Sequence, residues 1–297
     1  MDLEEHKTES NETCAIIVTY NPIVSRVQKL INSLKEQSCD VFIIDNSPLA
    51  VEDFIYERYK WLGGNKGIAQ AQNDGILLAL KHKYSYIIFF DQDSDIQKNF
   101  VPKLLSAMKQ NDFEVCAPVF FDEKHGFEYA ITDIDAYGNR RKIFSNGRMD
   151  MFTSSVVISS GTLVRSNVFH KVGLMDSRLF IDYVDTEWCL RCFSHGIKVN
   201  IIPTAKMYHS IGDNSIKIGR FRIPVHSAMR RYYRTRNAIH LLRYKHVPKK
   251  VACREIIFSI IHNIILSFAL FKFSYFKNSF LAIVDGILNR WGENKHS

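Results

Sequence analysis

Asp91, Asp93 and Asp95 stand two residues apart immediately after the apolar run Tyr86-Ile87-Ile88-Phe89-Phe90. Carboxylate oxygens at this spacing are hard ligands for a divalent cation, and the cation can in turn hold a diphosphate. Taken alone, Asp91-Gln92-Asp93 reads more simply as a polar turn, with Ser94 or Asp95 capping the next helix. A second acidic group, Asp185 and Glu187, lies in Tyr183-Val184-Asp185-Thr186-Glu187-Trp188. If a helix starts near Val184 or Asp185, its dipole stabilises both acids, or one of them serves as a general base. His209 is a lone histidine, a type more often satisfied in a core or at a surface than ligating. Gly63-Gly64-Asn65-Lys66-Gly67 matches neither a P-loop nor a dinucleotide fingerprint. It is either a tight turn or a backbone that a polar or anionic ligand can approach closely.

The elements that must position these groups follow from the hydrophobic periods. Tyr86 to Phe90 is β-branched or aromatic throughout, as in a strand buried on both faces. Thr13 to Thr19 predicts a first strand and Ile23 to Gln37 a helix, entered through Tyr20-Asn21-Pro22. Asp40 to Ile44 predicts a second strand ending at Asp45-Asn46-Ser47-Pro48. Strand, helix, strand is a right-handed crossover unit that brings both strand ends to one edge, where open α/β sheets bind ligands. Further helices are expected at 68–81 and 99–109, further strands at 114–121, 156–158 and 197–202, and a polar excursion with a short hairpin over 122–150. Cys189 and Cys192 lack the second pair that a structural zinc site needs and read as packing residues.

The net charge of +8 is unevenly distributed. Residues 1–216 carry 23 basic and 28 acidic side chains, and residues 217–297 carry 16 and 3. The basic part fits a diphosphate, an anionic membrane surface or nucleic acid, although no recognisable nucleic-acid module accompanies it. It predicts a helix over 225–243 rich in Arg and Tyr, then apolar helical segments at 256–271 and 273–291. Sixteen residues in the first of these fall short of the roughly 20 that span a bilayer, so a buried or interfacial helix is expected. The polar, acidic start is not a secretory signal, which points to the cytosol. The expected divisions are a tail at 1–12, an α/β domain at 13–216 and a basic helical extension at 217–297.

The order of the blocks is more specific than any one of them. Ile17-Val18-Thr19-Tyr20-Asn21, Ile44-Asp45-Asn46, the glycine-rich turn with Asn73, Phe90-Asp91-Gln92-Asp93, then Phe180 to Arg191 and His209, resemble an inverting GT-A glycosyltransferase of family 2. Within that family the set is most similar to bacterial rhamnosyltransferases of O-antigen and related polysaccharide assembly. The resemblance implies a Rossmann-like, mixed, mostly parallel sheet flanked by helices. It places Thr19, Tyr20, Asn21, Asp45, Asn65, Gly67, Asn73, Asp91 and Arg236 in the nucleotide-sugar site, and Asp93 and His209 on Mg²⁺ or Mn²⁺. Asp185 matches the general base, and Glu187 and Trp188 match residues beside the acceptor. Val184 stands where many relatives carry an acid, and Trp61 where a small polar residue is common. The implied activity is metal-dependent transfer of L-rhamnose from dTDP-β-L-rhamnose to a lipid-linked glycan at the cytoplasmic face of the bacterial membrane, as a possible homodimer. Transfer of galactofuranose or another hexose from a UDP-sugar, and a non-catalytic nucleotide-sugar-binding scaffold, are the alternatives.

Overall fold

The computed structural model describes residues 11–51, 54, 56–122, 126–208, 215–218 and 221–296. β1 (Thr13–Thr19) is buried on both faces, and its side chains divide with period two. Cys14, Ile16 and Val18 enter one apolar layer, and Ala15 and Ile17 the other. α1 (Val24–Lys35) buries Val27, Leu30, Ile31 and Leu34 against the second layer. β2 (Asp40–Asp45) then pairs parallel to β1. β3 (Tyr59–Trp61), a strand the sequence did not reveal, extends the sheet beyond β2. α2 (Ile68–Lys81) packs Ala69, Ala71, Ile76 and Ala79 on the first layer. β4 (Tyr86–Asp91) lies parallel to β1 on its other side.

Beyond β4 the sheet becomes mixed. β5 (Asp95–Ile96) is a two-residue strand, and α3 (Phe100–Gln110) follows, covering the second layer with Phe100, Val101, Leu104 and Met108. Asp95 therefore caps no helix: it sits in β5, its carboxylate exposed and paired with Lys29. β6 (Val115–Asp122) pairs with the short β7 (Phe127–Glu128), and β8 (Ile131–Ile134) and β9 (Arg140–Ile143) form the hairpin of the polar excursion. β10 (Phe152–Ser154) and β11 (Leu163–Arg165) replace the strand expected at 156–158. α4 (Ser166–Val172) and α5 (Val184–Ser194) close the first layer with Val168, Phe169 and Trp188. β12 (Val199–Tyr208) runs past Pro203, where a shift of register between Ile202 and Lys206 keeps both halves paired with β6. Among the described residues the main strand order is β10-β12-β6-β11-β4-β1-β2-β3, with β11 and β10 antiparallel to their neighbours.

β13 (Ser215–Ile218) and β14 (Phe221–Pro224) form a small separate hairpin. Three helices follow: α6 (Ala228–Leu241), α7 (Lys249–Ala269) and α8 (Ser274–Ile287). α6 packs against both others and holds a buried polar contact with α7, in which Asn263 donates to Thr235 at 3.0 Å and Ser259 lies 3.1 Å from Thr235. α7 is longer than the apolar run predicted, because its first turns carry Lys, Arg and Glu. At 21 residues it is long and apolar enough to cross a membrane by length and composition, and one side of it is buried on α6 and α8. Its other side exposes Ile257, Phe258, Ile261, Ile264 and Phe268, and the turn into α8 exposes Phe271, Phe273 and Phe276.

Gly75 fixes how closely α2 rides on β1, since a Cβ there would meet Ile16 Cγ2 at 2.5 Å. In a helix, Gly→Ala ordinarily gains about 1 kcal/mol. Overpacking against the fully buried Ile16 costs about 1–3 kcal/mol. Gly75→Ala should therefore lower stability in urea melts, and adding Ile16→Ala should reverse the sign of its effect.

Candidate active site

The carboxyl ends of β1, β2 and β4 meet at one edge, as the crossover pattern predicts. Asp45 is fully buried there, accepting from Thr19 Oγ1 (3.0 Å), Ser47 Oγ (2.5 Å) and Tyr59 Oη (2.6 Å). Both its oxygens are spent joining strand ends, so Asp45 and Thr19 shape the wall from behind. Asn21 donates its N–H to Ser47 Oγ (2.8 Å), and Tyr20 projects into solvent. Asn65 accepts from Asn46 Nδ2 (2.9 Å) and from the Gly67 N–H (3.0 Å), which folds the glycine turn back on itself. Trp61 donates to Ser47 O (2.9 Å), adding an indole to this wall. Gly67 has φ 84°, and a Cβ on it would lie 2.6 Å from Phe180 O. Asn73 is used elsewhere: its amide exchanges two hydrogen bonds of 2.9 Å with the Met175 backbone, anchoring the chain before α5. A pocket of about 280 Å³ results, lined among others by Thr19, Tyr20, Asn65, Gly67 and Asp91.

Asp91 also lines a larger neighbouring cleft of about 690 Å³, together with Asp93 and Asp185. The loop bearing the two first acids is fixed at both ends. The Gln92 amide accepts from Tyr20 N (2.8 Å) and donates to Tyr20 O (3.2 Å), while the Asp91 N–H donates to Ser160 Oγ (3.1 Å). Asp93 stays exposed to the cleft. His209, the expected further ligand, lies outside the described residues. Among the described residues no group of three His, Cys, Asp or Glu side chains is arranged to hold a metal. The pair Asp91 and Asp93 nevertheless supplies the hard oxygen donors that Mg²⁺ or Mn²⁺ takes.

Asp185 opens the first turn of α5, as expected, and Ser159 donates to it through both backbone and hydroxyl. Burial, and then the negative charge of Asp91, push its carboxyl up to about 6. Glu187 and Trp188, expected beside the acceptor, both point inward. Glu187 is buried in an ion pair with Arg191 (2.8 Å), and Trp188 packs on Phe169 and donates to Gly173 O (3.0 Å). They hold α5 in place and leave the cleft to Asp185. The two thiols at 189 and 192 are buried in the same layer, as packing residues are.

The chain before α5 is strained. Phe180 (φ 66°, ψ −66°) sits in a γ-turn closed by Ile181 N to Leu179 O at 2.8 Å, and Asp182 and Tyr183 also have positive φ. Such conformations cost roughly 1–3 kcal/mol each and persist only where neighbours over-determine them. Asn237 on α6 does this, donating to Leu179 O (2.7 Å), Ile181 O (2.8 Å) and Asp182 O (3.2 Å). Arg236 was expected near a donor phosphate and is instead buried: it donates to Gly292 O (2.6 Å), Leu179 O (3.3 Å) and Asn237 Oδ1 (2.9 Å). The guanidiniums that reach the cleft are Arg140, Arg230, Arg234 and Arg254. Arg230 and Arg234 share a helix face by their four-residue spacing, but Arg231 and Arg234, three apart, do so too, so the sequence holds no signal that separates the cleft arginines from the buried ones.

A raised carboxylate pKa in the folded state is a stability cost that appears as pH rises, because the unfolded chain ionises near 3.8 and the folded one near 6. Asp185→Asn should therefore raise Tm by several degrees at pH 8. That gain should shrink as pH falls from 6 towards 4, and a gain independent of pH would contradict the assigned burial.

The profile of the family described as Glycosyl transferase family 2 matches residues 14–173. The chain is 46% identical over 289 residues to the dTDP-rhamnosyl transferase RfbF of Shigella flexneri, covering 95% of this chain and 98% of that one. It resembles the structure of S. aureus TarS 1–349 in complex with UDP-GlcNAc, with TM-score 0.56 and 12% identity over 93% of this chain and 80% of that one. It also resembles GalNAc-T7 with UDP, GalNAc and Mn²⁺, with TM-score 0.54 and 14% identity over 86% of this chain and 55% of that longer one. At such identities the structural likeness concerns the fold, a GT-A sheet with flanking helices.

Proposed function

As a member of glycosyl transferase family 2 the chain is a glycosyltransferase, and we propose that it transfers L-rhamnose from dTDP-β-L-rhamnose to a hydroxyl of a glycan acceptor with inversion. The observation that carries the reading is Asp185, a carboxylate of raised pKa in one cleft with Asp91 and Asp93. The near full-length identity to the S. flexneri enzyme supports the choice of donor. The pocket beside Tyr20, Asn65 and Gly67 takes the nucleotide, and the larger cleft takes sugar and acceptor. Asp185 accepts the proton of the attacking hydroxyl, and Ser159 orients its carboxylate. A divalent cation on Asp93, with Asp91 beside it and His209 as the further expected ligand, would neutralise the charge of the leaving diphosphate. A single displacement by that hydroxyl needs one base and no protein nucleophile. The α-L-rhamnoside follows from the geometry of the displacement.

Asp185→Asn should lower kcat/KM by about 10²–10⁴ while dTDP-rhamnose binding with Mn²⁺ persists. In the wild type, kcat/KM should fall with pH below about 6, the range in which Asp185 takes up its proton. Retained turnover in the variant would reject the base. The donor is tested by thermal shift across dTDP-, UDP- and GDP-sugars with and without Mn²⁺, since selective binding stabilises the native state. Preference for a UDP-sugar, the donor type bound in the TarS complex, would replace rhamnose with a hexose.

We further propose that the apolar side of α7 and α8 seats the enzyme on the inner leaflet of the cell membrane, where a lipid-linked acceptor would lie. Phe268, Phe271, Phe273 and Phe276 are exposed at one end of these helices, with Lys272 and Lys277 among them. Phe271→Ser with Phe273→Ser should weaken binding to anionic lipid vesicles in flotation by about 10²–10⁴-fold, each buried Phe contributing some 1.5–3 kcal/mol. Unchanged flotation would reject this surface.

A further inference from the structure

The α6–α7 end of the large cleft carries a charge arrangement that proton abstraction does not use. Arg230 and Arg234 lie one turn apart on α6, and Arg254 enters from α7. Arg234 and Arg254 share one carboxylate, Glu255, at 3.5 and 3.4 Å, and Tyr183 Oη also donates to it at 2.9 Å. Arg230 reaches Asp182 at 3.4 Å. These contacts are long beside the 2.7–2.9 Å of a charge-assisted pair, and each engages a fraction of the five donors on a guanidinium. Arg140 from β9 lines the same cleft, and among its described lining residues Asp182 and Glu255 are the carboxylates apart from Asp185 and the Asp91–Asp93 pair. His226, held down to about 4 by burial and then by Arg230 and Arg231, is neutral and adds no charge of its own. At the α6–α7 end of the cleft three guanidiniums, Arg230, Arg234 and Arg254, stand against two carboxylates, Asp182 and Glu255, a local positive excess that suits an anion, and the planar guanidinium fork matches phosphate oxygens.

We propose that Arg234 and Arg254, with Arg230 beside them, bind a phosphate ester carried by the acceptor; the proposal rests on the glycosyl-transfer reading above. Two observations favour the acceptor over the nucleotide as the source of the phosphate. The smaller pocket beyond Asp91 has no Lys or Arg in its described lining, so the guanidiniums are grouped away from it. Arg254 also shares α7 with the exposed Ile257, Phe258 and Ile261, which follow it by three, four and seven residues. A ligand whose phosphate lies in the cleft and whose hydrocarbon chain runs outward along α7 meets both features.

The test uses the full chain with farnesyl diphosphate and farnesol as probes, in saturating dTDP and Mn²⁺ so that the donor pocket is filled. Farnesyl diphosphate should bind alongside dTDP. Arg234→Gln with Arg254→Gln should weaken it 10–100-fold, leaving farnesol binding and dTDP affinity within twofold. The Lys pair, which keeps charge and loses the fork, should weaken it at least fivefold and serves if the Gln pair fails to fold. Displacement of farnesyl diphosphate by dTDP, equal losses for farnesol, or unchanged binding in the folded variants would overturn the proposal. Failure of dTDP itself to bind would instead count against the donor reading, and the two-probe comparison without nucleotide would still decide on the subsite.

Discussion

One side-chain amide, that of Asn237, holds the turn before α5 in shape. Its three carbonyl partners belong to the turn at 179–183, whose positive backbone angles would relax without them. That turn delivers Asp182 and Tyr183 to the cleft and sets the first residue of α5, hence the direction of Asp185. Phe180 stacks on Tyr233 of the same helix, with ring centroids 4.9 Å apart, so packing and hydrogen bonding fix the turn together. The C-terminal helices therefore help to shape the cleft, because they hold the turn that leads into α5 and Asp185.

Charge in the cleft is graded. Asp91, Asp93 and Asp185 line the cleft at the sheet edge, and the guanidiniums of α6 and α7 line it beside Asp182 and Glu255. The first group raises the proton affinity of Asp185, since burial is reinforced by the neighbouring Asp91. The second is partly neutralised in place, since Arg230 leans on Asp182 and Arg234 and Arg254 on Glu255.

What the sequence made legible was whatever depends on local period and strand order. The β1–α1–β2 unit, the acidic end of β4 and the place of Asp185 in the first turn of α5 all follow from patterns within a dozen residues. The fate of individual polar side chains was not legible, because it is decided by partners far along the chain. Arg236 meets carbonyls of residues 179 and 292, Asn73 meets Met175, and Asp45 meets Tyr59. Asp95, expected as a helix cap, is drawn into β5 by pairing with β12, and the strand expected to end at 202 continues past Pro203 by pairing with β6.

Gly67 and Phe180 show how the two halves of the chain constrain each other over time. The missing Cβ of one is occupied by the backbone of the other, at 2.6 and 2.8 Å from Phe180 O and Cα. The matched family profile ends at residue 173, between them. Any side chain at 67 would have to be admitted by a different turn at 180, and any new turn would reopen the need for glycine. A substitution at 67 and a change of the turn at 180 are therefore coupled.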